Sequence, residues 1–227
     1  MLKYGKLKKD IKDKLIFKDV CFSWSDKKDF VIKNCSFSIS DPGLWMLVGE
    51  NGSGKSTLLK LIKGILQPTS GYIERPSNLS LVFQNPDHQI LMPTCGSELI
   101  LSMKDNCNRR IVDKKVKHYL GSVGLDGFWK RPVHTLSGGQ KQRLAIASAL
   151  ISESNFILMD EPTALLDQWS RKKILDIIKS LIQKNTYPIT VLWITHRLDE
   201  LVYADKVSVM KMGKLSSWQD PENLKYN

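Results

Sequence analysis

The sequence predicts an α/β fold: a mostly parallel sheet covered by helices on both faces, a small antiparallel subsheet on its amino-terminal side, and an inserted helical lobe. Three observations lead there. Short, wholly apolar runs alternate with helical patterns, which is how strands buried on both faces and their crossover helices read. Residues 10–40 instead alternate apolar and polar positions, the pattern of a half-buried antiparallel sheet. From about residue 88 to 150 no buried-strand run occurs, and 104–118 is rich in charge.

In chain order, Val20-Cys-Phe-Ser-Trp24 and Val31 to Ile39 are the alternating strands of the subsheet. Leu44 to Val48 is apolar throughout and bounded by Asp41-Pro-Gly43 and by glycines, as a central buried strand would be. A helical pattern follows over Ser56 to Ile65, then a strand over Leu79 to Phe83. The helix Ser137 to Ser152 closes the lobe, and Phe156 to Met159 is the next strand. Ser170 to Gln183 places Ile174, Ile177, Ile178 and Leu181 at helical spacing, and strands follow at Thr190 to Ile194 and Val207 to Met210. The expected organisation is one domain over 1–227, its core from about 15–87 and 151–227 and its lobe from about 88–150, without internal repeats.

Composition narrows the class. At 227 residues, 42% hydrophobic and 25% charged, with 14 Gly and 9 Pro, the chain is a soluble globular protein rather than a disordered, collagen-like or disulfide-dense one. The net charge is +11, and residues 1–18 hold seven Lys against Asp10 and Asp13. Such a balance suits nucleic acid, an anionic membrane surface or a phosphorylated ligand, and the Lys-rich start also reads simply as a solvated tail. That start lacks an apolar h-region, and no apolar run approaches the roughly 18 residues needed to span a bilayer, so neither export nor spanning is expected. Cys21, Cys35, Cys95 and Cys107 form no CxxC pair and have no His at metal spacing. They read as reduced, mostly buried residues rather than a zinc site or disulfide framework.

Two motifs carry chemistry on their own. Gly49-Glu-Asn-Gly-Ser-Gly-Lys-Ser-Thr57 satisfies G-x-x-x-x-G-K-[ST] after a buried strand and before a helix, the context a phosphate loop requires. Gly49, Gly52 and Gly54 let the backbone N–H groups of Asn51, Ser53 and their neighbours curl around phosphate oxygens, with the helix dipole behind them. Lys55 is placed to reach the β- and γ-phosphates, the Ser56 hydroxyl to bind Mg²⁺, and Thr57 completes the motif. Phe156-Ile-Leu-Met-Asp160-Glu161 ends a strand in two acids at the carboxyl edge, where ligands of such sheets sit. Asp160 suits the Mg²⁺ shell, and Glu161, one residue on, suits the polarisation of an attacking water. The same pair could also mark a helix start.

Leu136-Ser-Gly-Gly-Gln140, extended by Lys-Gln-Arg-Leu-Ala-Ile-Ala-Ser-Ala-Leu150, is a second set of backbone donors opening a helix. Here the sequence resembles the ATP-binding cassette family over roughly residues 15–215, which implies a RecA-like P-loop NTPase core and ATP as the nucleotide. The resemblance also implies that two subunits pack head to tail, each ATP lying between one subunit's phosphate loop and the Ser137, Gly138, Gly139 and Gln140 turn of the other. Gln84, after the strand Leu79 to Phe83, resembles the glutamine that senses Mg²⁺ and γ-phosphate. His196, after Thr190 to Ile194, resembles the switch histidine that contacts γ-phosphate. Asp167 resembles the acid that communicates across the dimer, although Leu165 is bulkier than the residue expected there and Gln168 stands where Pro is common. Trp24, 25 positions before Gly49, matches the aromatic that stacks on adenine, with a buried strand tryptophan as the alternative.

Val82-Phe-Gln-Asn-Pro-Asp-His-Gln-Ile-Leu-Met-Pro-Thr94, followed by Glu98, is similar to the glutamine-loop segment of energy-coupling-factor and cobalt-type importer ATPases. The resemblance implies an ATPase, peripheral on the cytoplasmic face of a membrane, that works with a transmembrane transporter subunit and a second cassette to import a vitamin or metal ion. A soluble assembly factor, for example in iron–sulfur cluster delivery, is the alternative. Nucleic acid is not an expected partner, since repair and translation members carry insertions or tandem cassettes. Ile90, Leu91 and Met92 either pack inward against the lobe or floor a groove that receives a partner helix.

Overall fold

A computed structural model describes residues 14–25, 29–104, 108–184 and 188–224. The Lys-rich segment 1–13 and Cys107 lie outside the described residues. Strands β1 (Leu15–Phe22), β2 (Ile32–Ile39), β3 (Gly43–Gly49), β4 (Ser70–Glu74), β5 (Leu79–Val82), β6 (Phe156–Asp160), β7 (Thr190–Thr195), β8 (Lys206–Lys211) and β9 (Lys214–Leu215) form two sheets. The larger runs β5-β6-β7-β3-β8-β9, parallel through β8, and the smaller runs β2-β1-β4, antiparallel. Helices are α1 (Lys55–Ile62), α2 (Cys95–Leu101), α3 (Arg109–Ser122), α4 (Gly138–Ile151) and α5 (Gln168–Lys184).

The apolar runs are explained by two cores. Successive residues of β3 alternate between them: Leu44, Met46 and Val48 face a cluster built with α2 to α5, whereas Trp45 and Leu47 face one built with α1 and the antiparallel sheet. A strand covered on both faces has no polar face to display, which is why β3, β6 and β7 contain almost no polar residue. Between β5 and β6 the described residues carry α2, α3 and α4, whose Leu99, Leu120 and Leu144 share the cluster of Met46 and Met159.

Two strands lie outside the expected set. β4 exposes four of its five residues and buries only Ile73, so it shows no apolar run. Its Gly71, at φ +88°, passes so close to β1 that a Cβ would stand 2.4 Å from the Asp19 carbonyl oxygen. β9 is a two-residue return from β8. Cys35 and Cys95 are buried and Cys21 half-buried, all as free thiols, and burial pushes Cys35 up to about 12. Among the described residues no helix is long and apolar enough to cross a membrane.

Candidate functional site

Strand order assembles the site. β7 lies between β6 and β3, with Asp160 paired to Ile194 and Val48 to Thr195, so the segments leaving all three strands emerge at one edge. That edge carries the glycine loop, the two acids and His196, at the position expected for the ligand of a parallel sheet.

In the loop, Gly52 at φ +80° and Gly54 at φ +110° take left-handed conformations that side-chain-bearing residues avoid. Gly49 is needed for space: a Cβ there would lie 2.4 Å from the Met210 carbonyl oxygen. The loop is tied by Ser53 N–H donating to the Glu50 carbonyl at 3.2 Å and by Gly213 N–H donating to the Ser53 carbonyl at 2.9 Å. Lys55 is buried, its Nζ donating to the carbonyls of Gly49 at 2.7 Å and Glu50 at 2.9 Å. Burial lowers the Lys55 ammonium from its ordinary range, while Glu161 and Asp160 pull the other way. The Ser53 hydroxyl is buried with no hydrogen-bond partner among the described residues, whereas Asn51, Gly52 and Ser56 are exposed and Thr57 is buried.

Asp160 ends β6 half-buried, its carboxyl raised first by burial and then by Glu161, with Lys63 and Lys55 acting against them. Glu161 sits at φ +44°, a strained conformation for a non-glycine residue. Its N–H donates to the Ile194 carbonyl at 2.9 Å, and its Oε2 lies 3.2 Å from His196 Nδ1. Asp160 therefore ends a strand and Glu161, one residue on, meets the histidine, rather than the pair simply starting a helix.

Gln84 is exposed on a loop gripped from both sides. Gln89 Oε1 accepts from the Phe83 N–H at 3.2 Å, Gln142 of α4 donates to the Phe83 carbonyl at 3.0 Å, and Lys141 of α4 pairs with Asp87 at 2.6 Å. Beyond it, Ile90 packs into the core while Leu91 stands 76% exposed, so the apolar triplet divides between the two arrangements the sequence allows. The corner is held by Glu98, whose Oε2 accepts from the N–H groups of Leu91 at 3.0 Å and Met92 at 2.9 Å.

Ser137 caps α4, its Oγ accepting from the Gln140 N–H at 3.3 Å while Gln140 Oε1 accepts from the Ser137 N–H at 3.0 Å. Gln140 thus has its side-chain oxygen engaged in the cap. Ser137 and Gly138 are exposed, and Gly139 lies so close to α5 that a Cβ would be 3.0 Å from Ser170 Oγ. Asp167 accepts from the Ser170 N–H at 2.9 Å and so opens α5, and its bonds to Ser170 hold the carboxyl below the usual range. Trp24 is not buried in a strand: it lies beyond β1, 61% exposed, edge-on to Phe22, with Lys60 Nζ 5.6 Å from its ring.

Glu98 and Gln142 drew no role from the sequence. A lone acid among the apolar residues of Cys95–Leu101 was the available signal for the first. The second hides inside a longer motif, and its partner is 59 residues away.

Residues 32–164 match the ABC transporter family. ABC transporter I family member 10 of Arabidopsis thaliana is 42% identical over 205 residues, covering 87% of this chain and 75% of that protein. The energy-coupling factor transporter ATP-binding protein EcfA1 of Oceanobacillus iheyensis is 34% identical over 222 residues, covering 92% of this chain and 79% of that protein. Among solved structures, cbiO1 from Clostridium perfringens, part of the ABC transporter complex cbiONQ, matches with a TM-score of 0.83 at 29% identity, covering 92% of this chain and 88% of the other. The glycine loop and acidic strand end at one edge of this sheet, with the capped Ser-Gly-Gly turn that opens α4, thus agree with the sequence relationships, and the chain belongs to the ABC transporter family as an ATPase.

Proposed function

We propose that the chain is the motor subunit of an importer: it pairs with a second cassette around two ATP molecules and couples their hydrolysis to movement of a vitamin or metal ion through a separate membrane subunit. On this reading it sits peripherally on the cytoplasmic face of the membrane. The convergence of the buried Lys55 with half-buried Asp160 and Glu161 and exposed His196 at one sheet edge carries the enzymatic half of the proposal. The importer half is supported by the likeness to EcfA1 and cbiO1 and by the Val82 to Thr94 segment.

In the proposed mechanism the loop from Gly49 to Thr57 receives the phosphates, and Lys55 exchanges its two carbonyl acceptors for phosphate oxygens. The buried, unpartnered Ser53 hydroxyl fits a polar ligand at that point. Ser56 and Asp160 offer the hard oxygen donors that suit Mg²⁺, which when bound neutralises charge on the phosphates. Glu161 orients and polarises the attacking water, and His196 holds Glu161 on one side and contacts the γ-phosphate on the other. Gln84 reports the state of the site to the lobe, and Trp24 stacks on the adenine. The exposed Ser137 turn and Asp167 serve the partner's nucleotide.

The test is Glu161→Gln, which keeps shape and hydrogen bonding but removes the base. Turnover falls on the order of 10²-fold or more while ATP binding persists. Near wild-type hydrolysis by this variant refutes the assignment.

A further inference from the structure

Glu200 is 2% exposed, four residues beyond His196 in the 3-10 segment Leu198–Tyr203. Its Oε1 accepts from the Thr163 hydroxyl, and its Oε2 accepts from the Trp193 indole N–H at 3.1 Å. Both donors are neutral. Thr163 lies two residues after Glu161, and Trp193 lies on β7 three residues before His196. One buried carboxylate therefore joins the segment that carries Glu161, the strand that leads to His196, and the segment that follows His196.

A carboxylate taken out of water costs free energy that an apolar residue at the same point would not, so its bonds must hold something in place. The two loops it joins are those whose side chains meet at 3.2 Å, Glu161 Oε2 against His196 Nδ1. Glu161 also needs outside support, because its left-handed backbone at φ +44° would otherwise relax. We propose that Glu200 is a positioning residue for ATP hydrolysis, fixing the Glu161 and His196 segments against each other through Thr163 and Trp193. The proposal rests on the reading of Glu161 as the group that polarises water.

The test uses the full chain, with steady-state ATPase and thermal unfolding measured on the same preparations. Glu200→Gln is the direct variant, and Thr163→Val is milder, removing only the hydroxyl at constant shape, with Thr163→Ser restoring it. The expected result is a kcat lowered about ten- to a hundredfold in Thr163→Val and Glu200→Gln, a KM for ATP within about twofold of wild type, and near-normal kcat in Thr163→Ser, the size of effect a small misplacement causes. An unchanged kcat in Thr163→Val overturns the proposal. So does a loss that Thr163→Ser shares, or one matched by lost folded protein at the assay temperature. Glu161→Gln serves as control: if it is inactive while Thr163→Val is normal, the positioning role alone fails, whereas an active Glu161→Gln overturns the underlying reading.

Discussion

Replacing Glu98 with Ala will release the corner that presents Leu91 to solvent. One oxygen of this 3%-exposed residue accepts from two successive N–H groups, at 3.0 and 2.9 Å. Hydrogen bonds to a charged group contribute about 1.5–3 kcal/mol each, giving a ceiling of about 6 kcal/mol for the pair. Two effects reduce it. Leu91 is 76% exposed and Met92 half-buried, so water can reach the freed donors, and the burial cost of the carboxylate disappears with the side chain. We therefore expect a loss of about 2–4 kcal/mol in urea unfolding of the full chain. Glu98→Gln, which keeps volume and one acceptor oxygen, is expected to lose about 1 kcal/mol. An Ala variant within about 0.5 kcal/mol of wild type, the range of inconsequential surface changes, would show that the corner stands without its carboxylate.

Three other outcomes follow from the same geometry. Leu91→Glu, at an exposed position, should leave thermal stability and basal ATPase intact while weakening pull-down of the proposed membrane subunit by about tenfold, and undiminished pull-down would reject Leu91 as a docking contact. Lys55→Ala should abolish most ATP affinity while circular dichroism stays unchanged, since the ammonium donates to the loop carbonyls of Gly49 and Glu50 and fills no apolar core, and wild-type affinity would remove the phosphate-loop assignment. Because burial and Glu161 raise the Asp160 carboxyl above its unfolded value, its share of stability is present at acid pH and lost as pH rises through the folded value. Asp160→Asn should therefore raise the Tm of the nucleotide-free chain at neutral pH while stopping turnover, and an unchanged or lowered Tm would contradict that sign.

What the sequence reveals depends on where each residue's partner lies. β3, β6 and β7 match their apolar runs to within a residue or so at each end, because burial on both faces writes the strand into composition itself. β4 is illegible for the opposite reason: its membership of the sheet is a backbone property of an exposed segment containing Gly71. The glycine loop and Asp160-Glu161 stand out in the sequence because the chemistry proposed for them is compact there. Glu98, Gln142 and Glu200 do not stand out, since each has a partner distant in sequence or on the backbone: Glu98 accepts from the Met92 N–H, Gln142 donates to the Phe83 carbonyl, and Glu200 accepts from the Trp193 indole. The triplet Ile90 to Met92 was divisible only in three dimensions, where the turn sends Ile90 inward and Leu91 out.

Helix α4 gives the proposed pairing of cassettes a physical route for coupling. Its first turn, at Ser137 and Gly138, faces solvent, whereas Lys55 of the phosphate loop is buried within its own chain. Donors that face outward at a helix start suit an anion delivered from outside, which on the proposed reading is the partner's nucleotide. One turn further along, Lys141 and Gln142 grip the loop of this chain's Gln84 through Asp87 and the Phe83 carbonyl. From Gln142 to Ile151 every α4 residue is buried, so the helix has little freedom to shift without moving what it holds. On the proposed reading, a load applied at Ser137 by one nucleotide would pass along α4, buried from Gln142 onward, to the loop of Gln84 by direct contact, and from there to the corner at Leu91.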